Sequence, residues 1–182
     1  MSARAVFLDR DGVLMEDANY VGHVERVKLI PGAAEAVRRL RAAGFKIFVV
    51  TNQSGVGRGY FTREAVEEIH HHLRQQGIQP DRFYVCPHHP EDNCDCRKPK
   101  PKFLVEAARE YDLDLAGSYM IGDRSSDLLA GINAGAQPIL VLTGVGRETL
   151  AKNEVRPVHV AADVAAAADW ILAGGCGTVT AR

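Results

Sequence analysis

Short, uninterrupted apolar runs alternate along the chain with stretches whose apolar residues recur every three or four positions. That is the pattern of parallel strands joined by amphipathic helices. The first run, Ala5 to Leu8, is apolar at every position, as expected of a strand buried on both faces. Residues 32–43 read as a helix entered through Pro31 and stopped at Gly44, with Val37 and Leu40 on its inner stripe. A second strand is predicted from Lys46 to Val50. Thr62 then caps a helix running to about Gln76, with Val66, Ile69 and Leu73 facing inward and Phe61 stapled to Val66. A third strand from Phe83 to Cys86, a helix over 102–111, a fourth strand from Tyr119 to Ile121 and a helix over 125–134 repeat the order. Strands at Ile139 to Leu142 and near Val158 to Val160 and a helix over 163–173 complete it, with Trp170 counted in the core. The expected fold is α/β, a Rossmann-like three-layer sandwich around a central parallel sheet. It forms a single domain over residues 1–173 with a flexible, Gly-rich tail over 174–182.

Polar residues at the strand exits carry the chemistry, because ligands of open α/β sheets bind beyond the carboxyl ends of the strands. Asp9, Thr51 and Asp123 each follow a predicted strand. Asp9 and Asp11 stand two apart, so on extended backbone they project to one side, where two carboxylates repel unless a cation intervenes. A hard divalent ion such as Mg²⁺ suits them, with Asp123 as a further ligand. Asp127, near a helix start, reads equally as a helix cap or as part of that centre. Thr51, Asn52, Gln53 and Ser54 present a hydroxyl, two amides and a second hydroxyl able to hydrogen-bond phosphoryl oxygens. Lys98, in a proline-stiffened basic stretch, offsets phosphate charge.

Four cysteines would allow two disulfides, but Cys86, Cys94 and Cys96 crowd into eleven residues while Cys176 stands alone near the end. With His88 the three give a C-x-H then C-x-C arrangement, the donor set of a closed Zn²⁺ site that pins the loop 86–96. His89 is the alternative fourth ligand; His88 is preferred because it shares the spacing of the second pair. The run His70 to His72 is read as solvated surface, since neighbouring helix residues face different ways.

The balance of 22 Lys+Arg against 23 Asp+Glu leaves no bulk field for nucleic acid or an anionic membrane. No apolar run is long enough to span a bilayer, and the first residues lack the apolar core of a secretory signal. A cytoplasmic monomer acting on a small molecule is expected.

Taken in order, Asp9-x-Asp11-Gly-Val13, Thr51-Asn52, Lys98 and Gly122-Asp123-x-x-x-Asp127 resemble the four motifs of the haloacid dehalogenase superfamily of phosphatases. The cysteine loop followed by Arg97-Lys98-Pro99 is similar to a zinc-loop subgroup holding heptose 1,7-bisphosphate and histidinol-phosphate phosphatases. The TNQSGVGRG segment with Ser54 and Arg58, the Asn19-Tyr20-Val21 stretch and the TGVGRETL stretch resemble the heptose enzymes. The resemblance implies a Mg²⁺-dependent phosphatase releasing the 7-phosphate of D-glycero-D-manno-heptose 1,7-bisphosphate, with histidinol phosphate as the alternative substrate, and no large cap domain.

It further implies that Asp9 attacks phosphorus to form an aspartyl-phosphate and that Asp11 is general acid, then base. Mg²⁺ is to be held by Asp9, the carbonyl of Asp11 and Asp123, with Asp127 behind them. Thr51 and Lys98 would hold the phosphoryl oxygens. The sugar would lie near Asp17, Ala18, Asn19, Tyr20, Asn52, Gln53 and Ser54, while Arg58, Arg97, Lys100 and Arg124 are candidates for the second phosphate. Two non-catalytic readings compete. A receiver-type switch is disfavoured because the paired acids follow the first strand. A zinc-dependent interaction module is disfavoured because all four catalytic motifs are filled.

Overall fold

In the computed structural model, which describes residues 2–176, the all-apolar run becomes β1 (Ala5–Leu8), buried along its whole length. β1 is flanked on one side by β2 (Lys46–Asn52) and on the other by β4 (Tyr119–Gly122), with Phe7 opposite Phe48 and Met120. With β3 (Arg82–Cys86), β5 (Gln137–Val141) and β6 (His159–Ala161) these form one parallel six-stranded sheet in the order β3-β2-β1-β4-β5-β6.

The period-two alternation of β1 feeds two cores. Val6 and Leu8 join the layer built by α1 (Ala33–Ala42), α3 (Arg63–Gln75) and α7 (Val164–Leu172), where Val37, Leu40, Ile69, Leu73 and Ile171 are buried. Ala5 and Phe7 face the opposite layer, where α4 (Lys102–Tyr111) brings Leu104 and Ala107, and α5 (Ser125–Ala134) packs beside α4 and against β4. Local chemistry sets the helix ends: Thr62 Oγ1 accepts from Ala65 N at 3.2 Å, Asp163 Oδ1 accepts from Ala166 N at 2.9 Å, and Gly135 closes α5 at φ 86°.

The three-layer α/β expectation and the order of its main elements hold, with differences in detail. β2 runs two residues past Val50, because Thr51 and Asn52 pair with Val85 and Cys86. Two short helices were not predicted: α2 (Ser54–Gly57) and α6 (Gly146–Lys152). Phe61 lies against the backbones of Gly22 and Gly55, where an added Cβ would come within 2.7 Å and 2.3 Å of its ring.

His70 departs from the solvated reading: it is 2% exposed and stacks on Phe83, with ring centroids 4.1 Å apart. It stands four residues after Val66 and three before Leu73, so it shares their inward stripe. Trp170 is only half-buried, lying flat on His159 at 4.5 Å. Of the expected tail, residues 177–182 lie outside the described residues. Gly175 is tied back, its carbonyl accepting from Tyr119 Oη at 2.6 Å. Among the described residues, no helix is long and apolar enough to cross a membrane.

Candidate active site

From β1 the chain builds outward through β2 and β3, then returns to place β4 on the other side of β1. The crevice of a doubly wound sheet lies where the direction of building reverses, here between the carboxyl ends of β1 and β4. Asp9 and Asp123 are the first residues beyond those ends, and Asp9 N donates to Ile121 O at 3.0 Å across the gap.

Carboxylate oxygens of Asp9, Asp123 and Asp127 gather within 4.8 Å of one another, and all three side chains are buried. Lys98 reaches in from the loop before α4, its Nζ lying 2.8 Å from Asp9 Oδ1, 2.9 Å from Asp127 Oδ1 and 2.6 Å from Val50 O. Asn52 holds the Lys98 backbone from both sides: its Oδ1 accepts from Lys98 N and its Nδ2 donates to Lys98 O. Asp127 caps α5, its Oδ2 accepting from Arg124 N, while its Oδ1 pairs with Lys98.

Three carboxylates against one ammonium leave negative charge uncompensated in a buried space, and the acidities respond. Burial pushes Asp9 well above the carboxylate range; Lys98 opposes that, while Asp127, Asp123 and Asp11 add to it. Asp123 rises to about 6 through burial and Asp127. Burial works against the charge on Lys98, but Asp127 and Asp9 outweigh it and keep the ammonium protonated.

Asp123 is fixed on one oxygen and open on the other. Its Oδ2 accepts from Val145 N at 2.9 Å and lies so close to Gly12 and Gly144 that a Cβ on either would come within 2.3 Å and 2.1 Å of it. Both glycines have positive φ, 85° and 56°, so no other residue suits either place well. Helix α6 braces the arrangement, with Thr149 Oγ1 donating to Asp123 O. The other oxygen, Oδ1, is buried with no hydrogen-bond partner among the described residues. An unpaired carboxylate oxygen beside two further acids fits a hard divalent cation.

Asp11 stands apart from that trio. Its carboxylate takes a two-pronged contact from Arg10, with Nε 3.0 Å from Oδ2 and Nη2 3.1 Å from Oδ1, and Gln53 Nε2 donates to Oδ2 at 2.8 Å. Burial is the largest influence and acts to raise its pKa, but the Arg10 charge and hydrogen bonds, the Gln53 hydrogen bond and the Lys98 charge together outweigh it and hold the group below its ordinary value. Gln53 Nε2 also donates to Thr51 Oγ1 at 2.7 Å.

These groups open on a cavity of about 360 Å³. Thr51, Asn52, Gln53 and Ser54 form one wall, Asp17, Asn19 and Tyr20 another, and Arg97, Lys98 and Arg124 bring positive charge. Asn19 and Tyr20 are both left-handed, at φ 50° and 54°, strained for non-glycine residues and typical of loops shaped for a ligand. Arg124 spans to Asp17 at 2.6 Å.

Four of the residues named from the sequence lie off the wall, Asp123 being wholly buried beneath it. Ala18 turns its carbonyl to Arg26, Arg58 sits over the outer face of Tyr20 at 5.9 Å, and Lys100 Nζ binds the Asn93 and Cys94 carbonyls instead of facing the cavity. Sequence reasoning missed Ser126 on the lining and Arg10 behind it, and gave Val21 and Gly55 only as parts of their stretches. A charged residue between two motif acids was the available signal for Arg10.

The second cluster is built from eleven contiguous residues. Cys86 Sγ lies 3.7 Å from His88 Nδ1 and 3.6 Å from Cys94 Sγ, and Cys96 Sγ lies 3.3 Å from His88 Nδ1 and 3.8 Å from Cys94 Sγ. A tetrahedral ion with metal–sulfur bonds of about 2.3 Å separates its sulfurs by about 3.8 Å, so the donors already stand at coordination spacing. Burial and the neighbouring thiols push Cys96 up to about 12, so these thiols need a cation before they ionise together. His89 is occupied elsewhere, its Nδ1 accepting from Glu91 N. The loop docks on the active-site wall through Gln53 N to Cys86 O at 2.7 Å and Gly57 N to Pro87 O at 2.8 Å.

Comparison with known proteins agrees with this geometry. Residues 6–86 match the family model described as haloacid dehalogenase-like hydrolase, and residues 95–167 match one described as HAD-hyrolase-like. A D-glycero-beta-D-manno-heptose-1,7-bisphosphate 7-phosphatase of Pseudomonas putida is 41% identical over 174 residues, covering 93% of this chain and 99% of the relative. A D-glycero-D-manno-heptose-1,7-bisphosphate 7-phosphatase of Thermosynechococcus vestitus is 40% identical, covering 94% of this chain and 96% of the relative. The crystal structure of the D,D-heptose 1,7-bisphosphate phosphatase of B. bronchiseptica, complexed with magnesium and phosphate, superposes with a TM-score of 0.88 at 40% identity, covering 94% of this chain and 99% of that one.

Proposed function

The chain belongs to the heptose-1,7-bisphosphate 7-phosphatases, within the haloacid dehalogenase-like hydrolases, and from that membership we propose how its residues divide the work. The reaction is Mg²⁺-dependent hydrolysis of the 7-phosphate of D-glycero-D-manno-heptose 1,7-bisphosphate. Identity spanning nearly the full length of this chain and of its relatives carries the substrate assignment.

Asp9 is the nucleophile: one of its oxygens is held by Lys98, and its carboxylate attacks phosphorus in line to give an aspartyl-phosphate. As the phosphorus–oxygen bond to the sugar breaks, Asp11, protonated against the pull of Arg10 when substrate binds, gives that proton to the departing oxygen. It then removes one from the water that attacks the phosphoenzyme, restoring Asp9 and releasing phosphate. Lys98 and Thr51 hold the phosphoryl oxygens; Lys98 is already fixed by Asn52 and needs no reordering as charge builds. Asp9, Asp123 and the Asp11 carbonyl would hold Mg²⁺, with Asp127 keeping Lys98 beside them. The ion supplies charge neutralisation of the phosphoryl group.

Asp17, Asn19, Tyr20, Asn52, Gln53 and Ser54 surround the sugar, and Arg97 and Arg124 serve the 1-phosphate. Cys86, His88, Cys94 and Cys96 take Zn²⁺, a closed site that orders the loop delivering Arg97 and Lys98. The enzyme works as a cytoplasmic monomer.

Phosphate release with Mg²⁺ from the β- and α-anomers of the bisphosphate, with histidinol phosphate as control, tests the assignment. The β-anomer is expected to turn over fastest, following the names of relatives about 40% identical. Release from histidinol phosphate with none from either sugar overturns the substrate. Near-normal turnover by Asp9→Asn overturns the nucleophile.

A further inference from the structure

The largest side chain wholly withdrawn from solvent is a charged one, Arg10. A buried guanidinium is costly unless paired, and among the described residues its one ion-pair partner is Asp11. Both prongs of the guanidinium fork meet that carboxylate, a contact with planar specificity that a point charge lacks. Asp11 Oδ2 carries two donors, Arg10 Nε and Gln53 Nε2, while Oδ1 carries one, so Oδ1 keeps the more open lone pairs.

His70 is buried against Phe83, and neither of its ring nitrogens, nor Arg10 Nη1, has a hydrogen-bond partner among the described residues. Among the described residues the guanidinium therefore holds Asp11 alone. Asp11 has other pulls on it: Lys98 attracts it, and Lys98 already serves Asp9 and Asp127. A carboxylate free to swing toward Lys98 would compete with the nucleophile for its ammonium.

We propose that Arg10 is a positioning residue for the acid–base chemistry: from behind the cavity it pins Asp11 on the wall and away from Lys98. The proposal rests on the reading of Asp11 as the group that protonates the departing sugar oxygen and deprotonates the attacking water. Arg10 does not touch substrate in this scheme, so removing it should lower kcat with little change in KM, and only while Asp11 is there to be positioned.

A double-mutant cycle tests this, using Arg10→Lys, Arg10→Met, Asp11→Asn and the combinations, with kcat and KM for heptose 1,7-bisphosphate and thermal melting for each. Lysine keeps the charge and loses the fork, so kcat should fall about tenfold; methionine loses both, and kcat should fall about a hundredfold. KM should stay within a few-fold in each. In the Asp11→Asn background neither change should lower kcat further. Should the methionine variant fail to fold, the lysine variant carries the cycle. Losses that multiply through the cycle, or an Arg10→Lys enzyme with wild-type kcat, overturn the proposal while leaving the role of Asp11 standing. Asp11→Asn turning over at a near-normal rate overturns that role, and the proposal with it.

Discussion

Two clusters of negative or ionisable groups stand side by side, Cys96 and Lys98 being only two residues apart, and they are held together by opposite means. The acid centre draws Asp9, Lys98, Asp123 and Asp127 from across the chain and fixes each on a strand end, a helix start or a clasped loop. It carries its own cation in the Lys98 ammonium. The sulfur centre draws Cys86, His88, Cys94 and Cys96 from one loop, with the 3₁₀ turn Pro90–Asp92 inside it and, among the described residues, no cationic side chain bonded to a sulfur. The first carries its own internal cation, whereas the second is, as proposed above, to be tied together by an ion it binds. A catalytic site that must release product gains from a scaffold that survives loss of metal, and a structural site has no such need.

Breaking the internal cation should have the largest effect. Lys98→Met leaves Asp9 and Asp127 buried without their partner, and removing one member of a buried pair costs about 3–5 kcal/mol. Denaturant unfolding in chelator should show that loss, millimolar Mg²⁺ should restore a good part of it, and phosphate release should fall at least about a hundredfold. A variant as stable as wild type in chelator would mean that the acid centre is not held by its own lysine.

Next comes the sulfur centre. Cys94→Ser removes one donor from a four-donor site and should lower stability by about 2–3 kcal/mol, with zinc lost from the purified protein by metal analysis. Added Mg²⁺ should not restore it, in contrast to Lys98→Met. Activity should fall about tenfold, because a loosened loop delivers Arg97 and Lys98 less accurately. Rescue by Mg²⁺ would erase the distinction between the two centres.

Smaller is a pH effect on the acid centre. Asp123 is raised to about 6 and Asp9 is raised as well, so the metal-free fold binds more protons than the unfolded chain above the ordinary carboxylate range. The sign follows: what these two groups contribute to metal-free stability is fully present below the unfolded pKa near 3.8 and is lost as pH climbs through about 6 for Asp123 and about 8 for Asp9. Mg²⁺ needs the ionised carboxylates, so the rise in melting midpoint that it produces should be greater at pH 8 than at pH 5. An equal rise at both values would show that the carboxylates are not the groups that receive it.

The same contrast explains what the sequence discloses. Groups at strand exits are legible because strand and exit are both visible: Asp9, Thr51 and Asp123 follow apolar runs, and the sheet order brings them together. The sulfur loop is legible because its donors are contiguous. Helices α2 and α6, of four and seven residues, are too short to show a period, yet α6 supplies the Thr149 contact that steadies Asp123. The solvated reading of His70 to His72 takes from helix geometry only that the three cannot face one way, whereas the distance of His70 from Val66 and Leu73 places it inside. Arg10 has no periodic signature; only the fold shows that a charge between Asp9 and Asp11 turns inward.

Lys100 offers the smallest effect and the sharpest separation of the two regions. By sequence it stands two residues from Lys98 in a basic run, a position that suits it to the second phosphate. In the fold its Nζ turns to the sulfur loop, 2.6 Å from Cys94 O, 3.1 Å from Asn93 Oδ1 and 3.4 Å from Asn93 O. Asn93 is left-handed at φ 47°, so the lysine steadies the tight turn just before the Cys94 donor. The contact is exposed, and exposed contacts of this kind contribute little once a metal orders the loop. Lys100→Met should therefore leave KM for the bisphosphate and kcat within about twofold and shift the melting midpoint by no more than a degree or two. Its one visible consequence should be faster loss of zinc to a chelator, followed with a colorimetric zinc indicator. A severalfold rise in KM with unchanged zinc loss would return Lys100 to the phosphate site and move the boundary between the two regions past it.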